Sequence, residues 1–391
     1  MIQINPYTPG AGLMPRCLAG RDEVLEKADE TLARVAACFT ARSVVYYGLR
    51  GVGKTVLLNE IEERAKDLDV FYEHIEITER GNFKSAVSLY TNKLMRRMSV
   101  IEMAKQSAGR AFGVLKAFHA TYSPDGSVNF GIEGAAPPAV GVSDTGDFKN
   151  DLTELFTALG ALAAKSGHGA AFFIDEIQYM TEADFEALIV ALHRVSQKGY
   201  PLIVFAAGLP KIAKIAGDVK SYAERLFRFI PIGSLDSEAA RLALSEPALV
   251  FDVHYDGDAL DYILKETECY PYFIQEYGRQ AWRQIKDHRI SLLGAKVARE
   301  TFERELDESF FKVRYDRATP KELAFMYAMV DCGGRECAVK DVAARLGKSV
   351  AEISTLRAQL IHKGFVYASE RGEISFSVPQ FNRYLERKRS A

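Results

Sequence analysis

The run Gly48-Leu49-Arg50-Gly51-Val52-Gly53-Lys54-Thr55 carries the strongest chemical signal in the sequence. It fits G-x-x-x-x-G-K-[ST] and lies between a short β-branched and aromatic run, Ser43 to Tyr47, and a helical pattern, Thr55 to Lys66. Glycines at Gly48, Gly51 and Gly53 let backbone N–H groups curl around a phosphate without Cβ clashes. Val52 lies in the same loop and is counted with the phosphate-binding residues. The following helix turns the positive end of its dipole toward the same anion. Lys54 would neutralise β- and γ-phosphates, and the Thr55 hydroxyl would ligate Mg²⁺.

A second signal comes 120 residues after Thr55. Phe172-Phe173-Ile174-Asp175-Glu176 is an apolar strand ending in two carboxylates. A buried strand delivers such a pair to the carboxyl edge of a sheet, beside a phosphate loop. Asp175 is expected to hold Mg²⁺ through water, and Glu176 to polarise an attacking water as general base.

These residues need a parallel sheet to position them. Ala170 to Ile174 and Leu202 to Ala207 are near-continuous apolar runs, suited to strands covered on both faces. Val70 to Ile77 reads as another strand. Glu23 to Phe39 and Asn82 to Met98 read as helices. From Phe118 to Asp147 Pro and Gly recur, and Pro124-Asp125-Gly126 predicts a hairpin over Ala120 to Glu133 inserted into the α/β core, as surface decoration or as a binding element. After Phe229 the strand pattern stops. Ser237 to Ser245, Gly257 to Glu266, Pro271 to Asp287 and Leu293 to Phe311 predict an all-helical second domain.

Composition narrows the classes. The 391 residues are 48% hydrophobic and 26% charged, values of an ordinary soluble globular protein. The first ten residues have no basic start and no apolar core, and no apolar run approaches the ~20 residues of a membrane span. Five scattered cysteines argue against a disulfide framework and for a reducing cytoplasm. Net charge is −2, but unevenly spread: Val313 to Ala391 holds 14 Lys/Arg against 9 Asp/Glu. A basic module is attached to an acidic body.

With both motifs in order, the sequence resembles the AAA+ superfamily, in the branch of ATPases similar to origin-recognition and replication-licensing proteins. The resemblance implies ATP as ligand. It places Leu18-Ala19-Gly20-Arg21 near the adenine, with Gly20 and Arg21 as binding residues, and takes Asp175-Glu176-Ile177-Gln178-Tyr179 as the extended acidic motif. Ala207-Gly208-Leu209-Pro210 falls at sensor 1, where the family has a polar side chain and this chain has Ala207 and Gly208. Tyr222 to Phe227 falls at the arginine finger. Arg225 either reaches a neighbour's site or forms a local ion pair, with Arg228 as the fallback. Cys269-Tyr270-Pro271 resembles the G-x-P turn of STAND signalling ATPases, which brings Pro271 to the nucleotide. Arg279 is the nearest candidate for sensor 2. The site reads as complete for binding ATP and metal and under-equipped for fast hydrolysis.

In the basic module, Lys321 to Val330 and Val339 to Leu346 are helical, Gly347 ends the second helix, and Ser349-Val350-Ala351-Glu352 is a capping box opening a third. Phe365 to Ala368 and Glu373 to Val378 read as two strands around Arg371-Gly372. The pattern resembles a winged helix. On that reading Ser354, Thr355, Arg357 and Ala358 face outward, Lys348 precedes them, Arg371 sits at the wing tip, and Lys388 and Arg389 lie on the tail, all suited to duplex phosphates and groove edges. The other use of such a module is protein contact.

The fold class expected is α/β: a P-loop AAA+ parallel-sheet core over 1–232 with an insertion near 118–147, an all-helical lid over 233–312, and a C-terminal winged helix-turn-helix over 313–391. The leading function is an ATP-binding, slowly hydrolysing molecular switch that binds double-stranded DNA, self-associates with ATP and works in the cytoplasm without a membrane. The alternatives are a STAND-type signalling or defence scaffold whose winged helix contacts protein, and an adaptor for DNA transposition.

Overall fold

A computed structural model describes residues 4–79, 81–123, 136–212, 223–333, 336–368 and 370–390. The chain divides into two compact units, one of residues 21–48 and 54–232, the other of residues 1–20, 49–53 and 233–391.

The first unit is a five-stranded parallel sheet. Its strands are β1 (Ser43–Tyr47), β2 (Phe71–Glu76), β3 (Ala170–Asp175), β4 (Leu202–Gly208) and β5 (Phe227–Pro231), in the order β2-β3-β4-β1-β5. Every residue of β3 and β4 is buried, as their unbroken apolar runs require. Register aligns the carboxyl ends: Tyr47 pairs with Gly208, and Ile174 with Ala206. The turns leaving β1, β3 and β4 therefore meet at one edge of the sheet.

Among the described residues, the unit's α-helices are α1 (Asp22–Ala36), α2 (Lys54–Asp67), α3 (Phe83–Ser99), α4 (Lys105–Tyr122), α5 (Phe148–Ser166), α6 (Glu182–Gln197) and α7 (Ala223–Leu226). Helix α1 stops at Ala36, short of Phe39, because Cys38 turns to φ 59°. In α6, Thr181 caps the start by accepting from Asp184 N at 3.0 Å, and Phe185, Leu188, Ile189, Leu192 and Val195 form the buried stripe. Residues 120–122 belong to the last turn of α4, so the hairpin expected over 120–133 does not begin there, and 124–133 lie outside the described residues. The chain returning toward α5 is tied by Asp151. This buried carboxylate accepts from Thr145 N (3.1 Å), Thr145 Oγ1 (2.7 Å), Gly146 N (3.0 Å) and the Tyr122 hydroxyl (2.6 Å).

The second unit contains α8 (Ser237–Leu249), α9 (Gly257–Thr267), α10 (Pro271–Ala281) and α11 (Leu292–Glu305). It is not all-helical, because β6 (His254–Tyr255) and β7 (Arg289–Ile290) pair in parallel. The Pro271 to Asp287 helix ends as α10 at Ala281, followed by a 3₁₀ turn at Trp282–Gln284. The helix expected over Leu293 to Phe311 changes character after Glu305, where Leu306–Phe311 is a π-helix. The short α12 (Lys312–Tyr315) follows. Trp282 packs edge-on to Tyr7 and Phe251, as a core residue does.

The basic segment forms α13 (Pro320–Asp331), α14 (Val339–Arg345), α15 (Ser354–His362) and a three-stranded antiparallel sheet β8-β10-β9, from β8 (Glu336–Ala338), β9 (Val366–Tyr367) and β10 (Glu373–Phe376). The strand β8 adds to the two strands expected. The Ser349/Glu352 box forms in both directions, at 2.8 and 3.4 Å, but α15 begins only at Ser354. The tail is a helix, α16 (Phe381–Ser390), which buries Phe381, Tyr384 and Leu385. Thr319 and Glu322 make a reciprocal cap at the start of α13, and the buried Glu322 also accepts from Lys363 Nζ at 2.9 Å.

Candidate nucleotide site

The phosphate loop springs from β1. Its first residue is fixed by Gly48 N donating to the Gly208 carbonyl at 3.1 Å. Gly51 and Gly53 hold φ of 86° and 89°, a region where side chains are strained, so glycine is required at both. Val52 is buried. Lys54, the first residue of α2, is also buried. An arch of backbone amides running into a helix start, with an embedded lysine, has the chemistry to hold polyphosphate.

Thr55 and Asp175 meet. The Thr55 hydroxyl donates to Asp175 Oδ2 at 2.6 Å, while Asp175 Oδ1 accepts from Glu176 N at 2.7 Å. A hydroxyl and a carboxylate are the hard oxygen donors that Mg²⁺ takes, so this pair fits the ion. Glu176 is half-buried at φ 53°, a left-handed conformation unusual for a residue with a side chain. A 3₁₀ turn, Ile177–Tyr179, brings the buried Gln178 back over it. Gln178 Nε2 donates to Glu176 Oε2, and Gln178 Oε1 accepts from Leu209 N at 2.9 Å. On β2, His74 pairs with Glu62. That hydrogen bond raises the imidazole pKa; burial opposes it, and the charges of Glu62, Asp175 and Glu76 add to it.

Other expected residues fall as follows. Gly20 has φ 66°, and a Cβ there would lie 2.6 Å from Ala239 Cβ. Arg21 is buried and precedes α1. Arg225 is exposed on α7, and Arg228 is exposed on β5. Ala207 and Gly208 end β4 with no polar side chain. Arg279 donates to Glu276 (2.9 Å) and to Glu305 (3.3 Å), so its charge is engaged within its own unit. Pro271 is the first residue of α10.

The residues flanking Pro271 contact the loop segment 49–53. The Tyr270 hydroxyl donates to the Arg50 carbonyl, and Tyr272 N donates to the Gly51 carbonyl at 3.2 Å. A Cβ on Gly51 would come within 3.2 Å of both tyrosines. The Tyr272 ring stacks on Phe310 at 4.7 Å, and the Arg314 guanidinium lies 4.1 Å from the Phe310 ring centre. Burial, and next the Arg50 charge, lower the Arg314 pKa to about 10. The sequence reading passed over Arg314 and gave Gln178 no role. Gln178 lies in the acidic motif, but its second partner, Leu209, is 31 residues on, and the Arg50 charge that bears on Arg314 is far along the chain.

In the basic segment, Lys348, Ser354, Thr355, Ala358 and Arg371 are exposed. Arg357, expected to face outward, is half-buried, with a buried Nε lacking a hydrogen-bond partner among the described residues. Arg389 is engaged with Asp331 at 2.7 Å.

Comparison with known proteins gives two domain matches: an AAA ATPase domain over residues 18–205 and a domain of unknown function (DUF8462) over residues 308–385. No curated protein matches the sequence. Among solved structures, the chain is similar to the Walker-type ATPase PABY2304 of Pyrococcus abyssi, with TM-score 0.58 and 14% identity over 94% of this chain and 96% of that one. It also aligns with Aeropyrum pernix ORC1 in complex with DNA (TM-score 0.45, 16% identity, 96% and 94% covered). A third is the Thermotoga maritima RuvB Holliday junction branch migration motor (0.45, 15%, 96% and 98%). Among the described residues no helix is long and apolar enough to cross a membrane. Strand order, loop geometry and the match over 18–205 agree: residues 18–205 are an AAA ATPase domain, carried on a P-loop α/β fold.

Proposed function

We propose that this protein is an ATP-dependent switch that hydrolyses ATP slowly and binds double-stranded DNA through its C-terminal module. We read its domains as an ATPase core over 1–232, a lid over 233–312 and a winged helix over 313–391. The observation that carries the nucleotide half is the Thr55–Asp175 pair, which follows the glycine run in sequence and is continuous with Glu176. Gly48, Gly51, Val52 and Gly53 bind the phosphates through backbone amides, and Lys54 supplies the compensating charge. Thr55 and Asp175 hold Mg²⁺, which when bound withdraws charge from the phosphates. Glu176 takes a proton from the attacking water as the β–γ bond breaks to ADP and phosphate. Gly20, Arg21 and Pro271 bind the remainder of the nucleotide. Arg225, exposed on its short helix, acts in trans in an ATP-dependent homo-oligomer.

The DNA half rests on charge and exposure. The module carries the chain's positive excess, and Lys348, Ser354, Thr355 and Arg371 are open to a partner. Arg357 reaches a groove only if its half-buried side chain swings out. The test is DNA binding with ATP, ADP and no nucleotide over a salt series. Phosphate contacts release counterions and give a steep negative salt slope that changes with nucleotide. Salt-insensitive or absent binding in all three states overturns the reading.

A second reading, a signalling scaffold with the module engaged on protein, is favoured by one observation. Tyr270 and Tyr272, around Pro271, both hydrogen-bond the carbonyls of the phosphate-loop segment. Assembly with ATP in the absence of DNA would select it.

A further inference from the structure

The acidic motif at the end of β3 carries a residue to which its metal and base chemistry gives no role. Gln178 is buried, and its amide is used at both ends. Leu209 N can only donate, so the amide oxygen must face it, which leaves the amide nitrogen for the Glu176 carboxylate. The carboxylate is held through Oε2 alone among these contacts, with Oε1 remaining for another partner.

The space around this amide is specific. β4 ends at Gly208, where a Cβ would lie 2.8 Å from Ile177 Cγ2 and 3.0 Å from Gln178 Oε1. Glycine is present because the Gln178 turn occupies the place a side chain on β4 would take. Gly208 also accepts from Gly48, the first residue of the phosphate loop. The path from loop to base is thus Gly48 to Gly208, the next residue Leu209, then Gln178 and Glu176, all within one compact unit. Glu176 holds a left-handed backbone, a costly state that persists only where its surroundings fix it. Its own N–H on Asp175 fixes the backbone, and Gln178 fixes the carboxylate.

We propose that Gln178 is the positioning residue for Glu176: anchored on the end of β4, it aims one carboxylate oxygen and leaves the other to receive the proton of the attacking water. This supplies from the β3 turn the polar contact that Ala207 and Gly208 cannot make. The inference rests on the reading of Glu176 as the general base.

The test is steady-state ATP hydrolysis by the full chain with Mg²⁺, beside nucleotide-free melting. Gln178→Ala should lower kcat by about tenfold to a hundredfold with KM for ATP within about twofold, because it removes a charge-assisted hydrogen bond and no phosphate contact. Gly208→Ala, which displaces the amide without removing it, should lower kcat in the same direction. Added to Glu176→Gln, Gln178→Ala should cause no further loss, since the two act as one unit. Unchanged or raised kcat in Gln178→Ala overturns the proposal, as does an additive loss in the double variant. So does a rise in KM matching the fall in kcat. If Gln178→Ala fails to fold, kcat of Gly208→Ala decides alone. If Glu176→Gln hydrolyses like the parent, the underlying assignment of the base fails, which is a separate result.

Discussion

Thr55 Oγ1 and Asp175 Oδ2 lie 2.6 Å apart across 120 residues of sequence. One is the second residue of α2, and the other closes β3. The contact depends on β3 and β1 flanking β4 in the sheet, so the fold's strand order is what makes the pair. The hydroxyl proton points to the carboxylate, which leaves a lone pair on Oγ1 for a cation.

Nucleotide binding should depend on Lys54. Lys54→Ala removes the charge that compensates the phosphates while leaving the arch glycines in place. ATP should then stabilise the variant far less than the parent, measured as the rise in Tm at a fixed excess of ATP. Equal stabilisation would mean that ATP binds elsewhere.

Glu176→Gln keeps shape and can still accept from Gln178, but has no basic carboxylate. Hydrolysis should fall by roughly 10² or more, while ATP still binds. The variant should accumulate any ATP-favoured assembly, seen by light scattering with ATP and not with ADP. Arg225→Ala should lower phosphate release only at concentrations where the parent self-associates. Loss at monomeric concentration leaves Arg225 a local role.

Lys348→Ala and Arg371→Ala should each weaken DNA binding and reduce the salt slope by about one, since both side chains are exposed and each carries a single positive charge. Arg357→Ala is a poorer probe, because its half-buried side chain also packs. Unchanged slopes in both variants would turn attention to a protein partner.

Glu322 gives a pH signature to the basic module. Burial pushes its carboxyl pKa up, but the Thr319 N–H, Lys363 and the Thr319 hydroxyl outweigh this and leave it below the ordinary 4.5. A depressed folded pKa contributes stability that is present above 4.5 and lost as pH falls through the folded value. Glu322→Gln should therefore cost about 2 kcal/mol near neutral pH. In thermal or urea unfolding at descending pH, the gap between parent and variant should close below 4.5. A gap constant down to pH ~3 would show that the charge is not what stabilises this start of α13.

The centre of the first unit was legible because its signals are local. β1 matches the run Ser43 to Tyr47, β3 and β4 match apolar runs to within a residue, and the glycine spacing located the arch. What escaped depends on distant partners. β8 is three residues long and exists through pairing with β10. β6 and β7 are two residues each and pair with one another. α16 reads as a charged tail until Phe381, Tyr384 and Leu385 are seen to be buried. Gln178 stands in a motif whose carboxylates drew the attention, and its role requires Leu209, the residue just past β4. Arg279 had a plausible sequence position, but Glu305, 26 residues on, claims it.

The π-helix at Leu306–Phe311 has a mechanical consequence. A π turn holds an extra residue, and an α-helix advances ~100° per residue, so relaxing it would throw everything beyond out of phase by that angle. Phe310 sits inside this turn against Tyr272, whose backbone binds Gly51, while its neighbour Phe311 packs on Phe381 and Tyr384 of the final helix. One turn of backbone thus meshes with the phosphate-loop segment on one tooth and with the C-terminal helix on the next. A change at Gly51 that pulled Tyr272 away would loosen the turn's grip on Phe310.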